Sequence, residues 1–251
     1  MVRMFCVGVA SLLSLSLNAS ANEETKTATL NKIIEPFKAE YTILHKSDPV
    51  GKGVRSLTYL NDNSAEYSYQ TKIKWLIFSD KRKEKTKVSL NGYSVTPLHY
   101  KYEREGTGRD KYYEWSFDVS KNTARNIKEK KNHNVDFPKG IQDKLSYHLQ
   151  NRLALIKNPE QKTFTYPVVS TSGSIKDYEF EYDGEEEVLL PIGLVKAIRL
   201  KREVKRKERV TYAWFAPEYN YLLVKLYQSK GGNEQFEAQL NKVTALTEEN
   251  Q

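Results

Sequence analysis

The sequence holds a single cysteine, Cys6, which excludes an intramolecular disulfide and any cluster of thiolate ligands. Its four histidines, His45, His99, His133 and His148, lack the i, i+4 spacing that brings two imidazoles to one metal, so no metal site is expected. Neither a G-x-S-x-G elbow nor a P-loop occurs. Gly106-Thr107-Gly108 opens like a dinucleotide fingerprint but has no third glycine and no strand-to-helix setting, so it is read as a turn and no cofactor is expected. Beyond residue 21 no run is apolar enough to cross a bilayer as a helix. Internal repeats, heptads and low-complexity tracts are missing as well.

What is present begins with a leader. Arg3 supplies a positive start, Phe5 to Leu17 is apolar apart from small positions, and Ala19-Ser20-Ala21 gives the small-x-small site of a signal peptidase. Together they predict a cleavable secretory signal over 1–21, cut after Ala21, and a periplasmic mature chain. Cys6 precedes the apolar run, whereas a lipidated cysteine follows one, so no lipid anchor is expected. Nucleic acid is excluded as a partner by this location. Loss of the leader removes Arg3 alone among the charged groups, so the formal charge falls from +8 to +7. A clustered surplus of that sign concentrates anions, and anionic lipid, lipopolysaccharide and acidic glycan are the candidate partners, with an envelope protein as a further one. The expected organisation is a polar segment over 22–36, one β-rich domain over 37–246 and a tail over 247–251.

Short runs rich in Tyr, Phe, Val, Ile and Thr alternate with Asn, Asp, Gly, Ser and Pro clusters, the pattern of successive antiparallel strands. The seventeen tyrosines suit half-buried pleated surfaces. Strands are predicted near Phe37 to His45, Gly53 to Leu60, Ala65 to Phe78, Lys83 to Leu90, Val95 to Glu103, Lys111 to Val119 and Thr123 to Lys128. A second series is predicted near Thr163 to Ser170, Ile175 to Tyr182, Glu185 to Leu190, Leu194 to Val204, Glu208 to Phe215, Leu222 to Gln228 and Gln235 to Val243. Asn61-Asp62-Asn63, Asn91-Gly92, Asp183-Gly184 and Gly231-Gly232-Asn233 carry tight-turn chemistry, so neighbours should pair in sequence order.

One segment has a different period. Ile141, Leu145, Leu149, Leu153 and Ile156 recur at spacings of four and three and share a helix face, with Pro159 just beyond its end. An amphipathic helix is marginal alone and needs a cover. The fold expected is therefore mainly β: a long curved antiparallel sheet or half-barrel with one amphipathic helix packed against its concave face.

Within that helix Asp143, Tyr147 and His148 form the one cluster with acid–base character. An acidic residue in a first helical turn is more simply a partner of the helix dipole, and with no nucleophile at hand no catalytic residue is assigned. Glu185-Glu186-Glu187 is a solvated acidic run.

The stretch Arg199 to Val210 carries seven basic and two acidic side chains. Alternation puts Leu194, Lys196, Ile198, Leu200, Arg202 and Val204 on one face and Val195, Ala197, Arg199, Lys201 and Glu203 on the other. It is read as a hairpin with a wet basic tip near Lys205 to Lys207. Arg199, Lys201, Arg202 and Arg209 are the candidate anion contacts, against edge protection as the simpler role.

Four short motifs resemble a family of exported bacterial proteins known as domain of unknown function 3108. They are Pro36-Phe37-Lys38-Ala39-Glu40-Tyr41, Asp143-Lys144-Leu145-Ser146-Tyr147, Pro191-Ile192-Gly193 and Trp214-Phe215-Ala216-Pro217, in the family's order over Phe37 to Leu246. Lys144 departs from the smaller residue or proline expected there. The resemblance implies an exported β-rich protein and carries no activity. The fold it implies is similar by analogy to periplasmic lipoprotein carriers, whose concave faces hold acyl chains. On that analogy Trp75, Ile77, Trp115, Phe117, Leu149 and Trp214 are candidate lining residues, a dry core being the competing role for each. The leading expectation is a non-catalytic protein that binds a lipid or amphipathic ligand. A carbohydrate-active or glycan-binding protein and an envelope scaffold are the alternatives.

Overall fold

The computed structural model describes residues 32–127 and 134–246. The predicted leader, most of the polar 22–36 segment and the 247–251 tail lie outside the described residues. Fourteen strands form one antiparallel sheet: β1 (Phe37–His45), β2 (Asp48–Asn61), β3 (Ser64–Trp75), β4 (Phe78–Asn91), β5 (Ser94–Gly106), β6 (Lys111–Asp118), β7 (Thr123–Asn126), β8 (Asn134–Asp136), β9 (Thr163–Val169), β10 (Ile175–Leu190), β11 (Gly193–Val204), β12 (Arg209–Ala216), β13 (Leu222–Lys230) and β14 (Asn233–Ala245). Among the described residues one α-helix, α1 (Ser146–Lys157), stands between β8 and β9.

The order across the sheet explains the position of that helix. β1 lies near the middle and the chain meanders outward to β8 at one edge. It then crosses over, restarts at β9 on the opposite edge and meanders back until β14 pairs with β1. The crossover spans the concave face of an unclosed half-barrel. Before α1, Gln142 pairs in parallel with β9, donating its N–H to Pro167 and accepting from Val169.

Alternation along the strands sorts the two faces. Leu57, Tyr67, Thr86, Tyr100, Trp115 and Asn126 are cross-strand neighbours running from β2 to β7, and all are buried. Leu145, Leu149 and Leu153 are buried as their spacing predicts, but Asn151, Arg152 and Leu155, off that stripe, are buried as well. A sheet curled round a helix covers more than one of its sides.

Two expectations need correcting. Ala65 to Phe78 is not one strand, because the chain reverses at Leu76 and Ile77 and Trp75 pairs with Phe78. Asp183-Gly184 is not a hairpin turn; it lies within β10, where the register against β11 shifts between Tyr182 and Glu185, the signature of a bulge. Gly184 has φ of 108°, a value that glycine tolerates in a bulge or a turn alike, so local sequence does not separate them.

Candidate functional site

Antiparallel pairing puts the turns after β1, β3, β5, β9, β11 and β13 at one end of the half-barrel. The opposite end is closed. There Gln150 of α1 accepts from Val95 N–H at 2.8 Å and donates to Tyr93 carbonyl at 2.9 Å. Arg152 donates to the carbonyls of Asn220 and Tyr219 at 2.8 and 3.2 Å. The Tyr59 hydroxyl and the Asn220 amide tie down the carbonyls of Ile34 and Ile33. The first end has no such plug among the described residues and forms the mouth.

A pocket of about 180 Å³ opens at this mouth, lined by Ile43, His45, Val50, Ile73, Trp75 and Phe236 among others. Its walls come from β1, β2, β3 and β14. The His45 and Trp75 rings meet edge to face at 4.9 Å, and Trp75 stacks toward Phe78 at 6.4 Å. Directly across the ladder from Ile73 stands Asp80, which accepts from Arg82 Nε at 2.7 Å and from Arg104 Nε at 2.6 Å. Burial works against ionisation of Asp80, but both guanidinium groups outweigh it and hold the carboxyl below its ordinary range. Two cations share one carboxylate, so this trio carries a net positive charge, with Arg104 also donating to the carbonyls of Arg109 and Thr107 at 3.3 Å each.

Deeper, the concave face turns polar. Arg55 is buried and donates from Nη1 to the Tyr67 hydroxyl at 2.7 Å, with its guanidinium over the Tyr67 and Tyr69 rings. Tyr100 donates to Glu84 at 3.0 Å, and burial pushes the Glu84 carboxyl up despite that bond.

Asp143, Tyr147 and His148 do not share a reactive centre. Asp143 Oδ1 accepts from the N–H groups of Leu145 and Ser146 at 2.7 Å each, Oδ2 accepts from Thr86 Oγ1 at 2.5 Å, and Ser146 Oγ accepts from Asp143 N–H at 2.9 Å. These bonds tie Asp143 to Ser146 across the turn that leads into α1. Tyr147 packs on Tyr178 and Phe180. His148 stacks on Tyr147 at 4.1 Å, and burial, followed by Arg55 and Lys144, pushes its pKa well below 6.5.

The structure distributes the expected ligand-lining residues over three places. Trp115, Phe117 and Leu149 are buried in the core. Trp214 is buried on the other face of the sheet, opposite Arg199 and Lys225, and donates to Glu186 at 2.7 Å. Of the six, Trp75 lines a pocket, and Ile77 is exposed in the turn just beyond it. This dispersal has one cause: an aromatic on a strand marks a half-buried face without saying which face, or whether a helix already covers it.

The expected anion contacts separate as well. Arg199 is occupied by Asp183 and Glu186, both at 2.7 Å, and Lys201 by Glu203 at 3.3 Å. Arg202 faces inward with its guanidinium 3.6 Å above the Tyr178 ring. Arg209 begins β12, part-buried and paired with Lys230 across the ladder. Another basic run, Lys81 to Lys87, stands among further lysines. Lys52 stands opposite Lys72, and Lys72 opposite Lys81, on the outer face of β2 to β4. They line a groove of about 450 Å³ that Glu103 and Glu105 also edge.

The family profile described as protein of unknown function (DUF3108) matches residues 65–237, which takes in β3 to β13, the crossover and part of β14. The chain belongs to this family. No curated protein matches this DUF3108 chain. Among solved structures it is similar to a beta-barrel-like protein of DUF1849 from Brucella abortus, with a TM-score of 0.55 and 10% identity over 85% of this chain and 99% of that one. That likeness extends to the fold. A DUF1089 family protein from Pseudomonas aeruginosa gives a TM-score of 0.38 at 9% identity, over 72% of this chain and 89% of that one. No helix among the described residues is long and apolar enough to cross a membrane, a statement that does not bear on strands.

Proposed function

We propose that this DUF3108 protein is exported to the periplasm and binds an amphipathic anion, of the chemical class of a fatty acid or phospholipid, at the mouth of its half-barrel, without catalysing a reaction. One observation carries the reading: an apolar pocket walled by Ile43, Ile73, Trp75 and Phe236 stands beside two guanidinium groups that share a single carboxylate. Apolar walls with a few convergent polar groups are the usual composition of a small-molecule site. The alkyl portion would leave water against Trp75 and Ile73, and the anionic head would meet Arg82 and Arg104, whose planar forks suit carboxylate or phosphate. The pocket is small, so the occupant enters by one end of its chain with the remainder at the mouth.

The test is native mass spectrometry of the protein purified from the periplasm, with extraction of any co-purifying lipid. A near-stoichiometric acyl-chain ligand, lost when Ile73 and Phe236 are changed to Asp, is the expected result. An empty protein that also refuses added fatty acid would overturn it.

A further inference from the structure

Five other two-residue turns carry turn residues: Lys46-Ser47, Asp62-Asn63, Gly92-Tyr93, Pro191-Ile192 and Gly231-Gly232. Between β3 and β4 the turn is Leu76-Ile77. Leu76 sits at φ of 52°, where a branched apolar side chain is disfavoured and glycine is the ordinary choice. Leu76 is 84% exposed and Ile77 86%, with Trp75 and Phe78 exposed beneath them. The sequence thus accepts backbone strain and an unfavourable hydration in order to hold four consecutive apolar side chains in water.

The base of this tip is braced. Thr107 N–H donates to Ser79 carbonyl at 2.8 Å, and Ser79 N–H donates to Thr107 Oγ1 at 3.0 Å. Gly106 permits the approach, since a Cβ there would fall 2.2 Å from the Ser79 carbonyl oxygen.

Its surroundings are cationic. Lys74 adjoins Trp75, and the same end of the half-barrel presents Lys46, Arg109 and the exposed run Lys205 to Lys207, against Asp48, Asp110, Glu208 and Glu234. The basic hairpin and the apolar hairpin, distant in sequence, are brought to one end by the direction of the meander.

We infer that the Trp75–Phe78 tip inserts into the interfacial layer of an anionic lipid bilayer, with the lysines and arginine of the same end on the headgroups. Apolar side chains gain by leaving water, Trp favours the headgroup level, and cations nearby follow the negative surface potential. Charge complementarity commits the partner to a membrane surface. The docking sets the mouth against the bilayer, and it does not depend on the pocket being filled.

The experiment is co-sedimentation of the purified protein with vesicles of phosphatidylcholine alone and of phosphatidylcholine mixed with phosphatidylglycerol. Binding to the anionic vesicles is expected, weakening as salt is raised. The variant Leu76→Gly/Ile77→Ser replaces the strained pair with turn residues. It should melt at the same temperature or higher while losing at least about tenfold in vesicle affinity. Lys74→Ser should lose roughly fivefold on anionic vesicles and leave binding to neutral ones unchanged. Vesicle affinity unchanged in the double variant, equal binding to both vesicle types, or tip-dependent self-association without vesicle binding would each overturn the inference. Pocket uptake is read separately, by native mass spectrometry without vesicles, so a failure here is distinct from a failure of the pocket to take ligand.

Discussion

The side-chain amide of Gln142 donates to the carbonyl of Val95 at 2.8 Å. Gln142 also pairs through its backbone with β9, while Val95 lies on β5. This one buried residue therefore fastens the crossover to both halves of an open sheet. Without it the carbonyl of Val95 would lose a donor in a site that water does not reach. Gln142→Leu should lower stability by about 1–3 kcal/mol, measured as the shift in urea midpoint with an unchanged slope. A shift near zero would mean that this side-chain bond adds nothing to the backbone pairing and packing that hold the crossover.

Arg55 is held by Tyr67 in the interior. Tyr67→Phe keeps the ring and removes the acceptor, leaving a buried guanidinium short of a partner. A loss of about 2–3 kcal/mol is expected, and adding Arg55→Met should recover part of it, because an apolar pair no longer carries an uncompensated charge. A double variant worse than the sum of the two single ones would contradict this account.

His148 gives a pH prediction with a defined sign. Its folded pKa lies well below 6.5, so its contribution to stability is whole above that value and is lost as the pH falls from it toward the folded pKa. The loss is at most about 1.4 kcal/mol per pH unit. Glu84 and Asp143, both raised by burial, act in the opposite direction: their contribution is whole below the unfolded values and declines as the pH rises. Comparing His148→Gln with the parent isolates the histidine. The parent should lose more stability than the variant between about pH 7.5 and about pH 5.5, and parallel losses would remove His148 from the acid response.

Core and mouth separate by mutation. Leu149 is 1% exposed and Trp115 likewise, so Leu149→Ala should cost about 2–5 kcal/mol. Trp75 is 43% exposed, and Trp75→Ala should cost less than Leu149→Ala while abolishing ligand uptake. Calorimetric melting of the two variants decides it.

Much of the sheet was legible because its turns carry turn chemistry. Asn91-Gly92 and Gly231-Gly232 separate strands as their residues require, and β1 runs over Phe37–His45 as predicted. The helix was legible in its leucines, though its buried Asn151 and Arg152 follow from a wrapped sheet that spacing does not reveal. The mouth was the least legible part. Leu76-Ile77 carries no turn residue, so the sequence there continues a strand-like pattern while the chain reverses. The basic run Lys81 to Lys87 could meet the basic hairpin only if the fold brought the two together. Register instead sets it against Lys52 and Lys72, and register between distant strands is not written in either strand alone.

An amphipathic anion in the pocket beside Trp75, as proposed, would be reported by that residue's own fluorescence. Trp115 and Trp214 are buried, which makes Trp75 the tryptophan that a pocket ligand can reach. Titration with a monomeric bromine-labelled fatty acid, followed by tryptophan fluorescence, is the most direct measurement. Saturable quenching of one component, gone in Trp75→Phe and weakened in Arg82→Ser/Arg104→Ser, is the predicted result. Absence of quenching, or quenching that persists unchanged in Trp75→Phe, would contradict the claim.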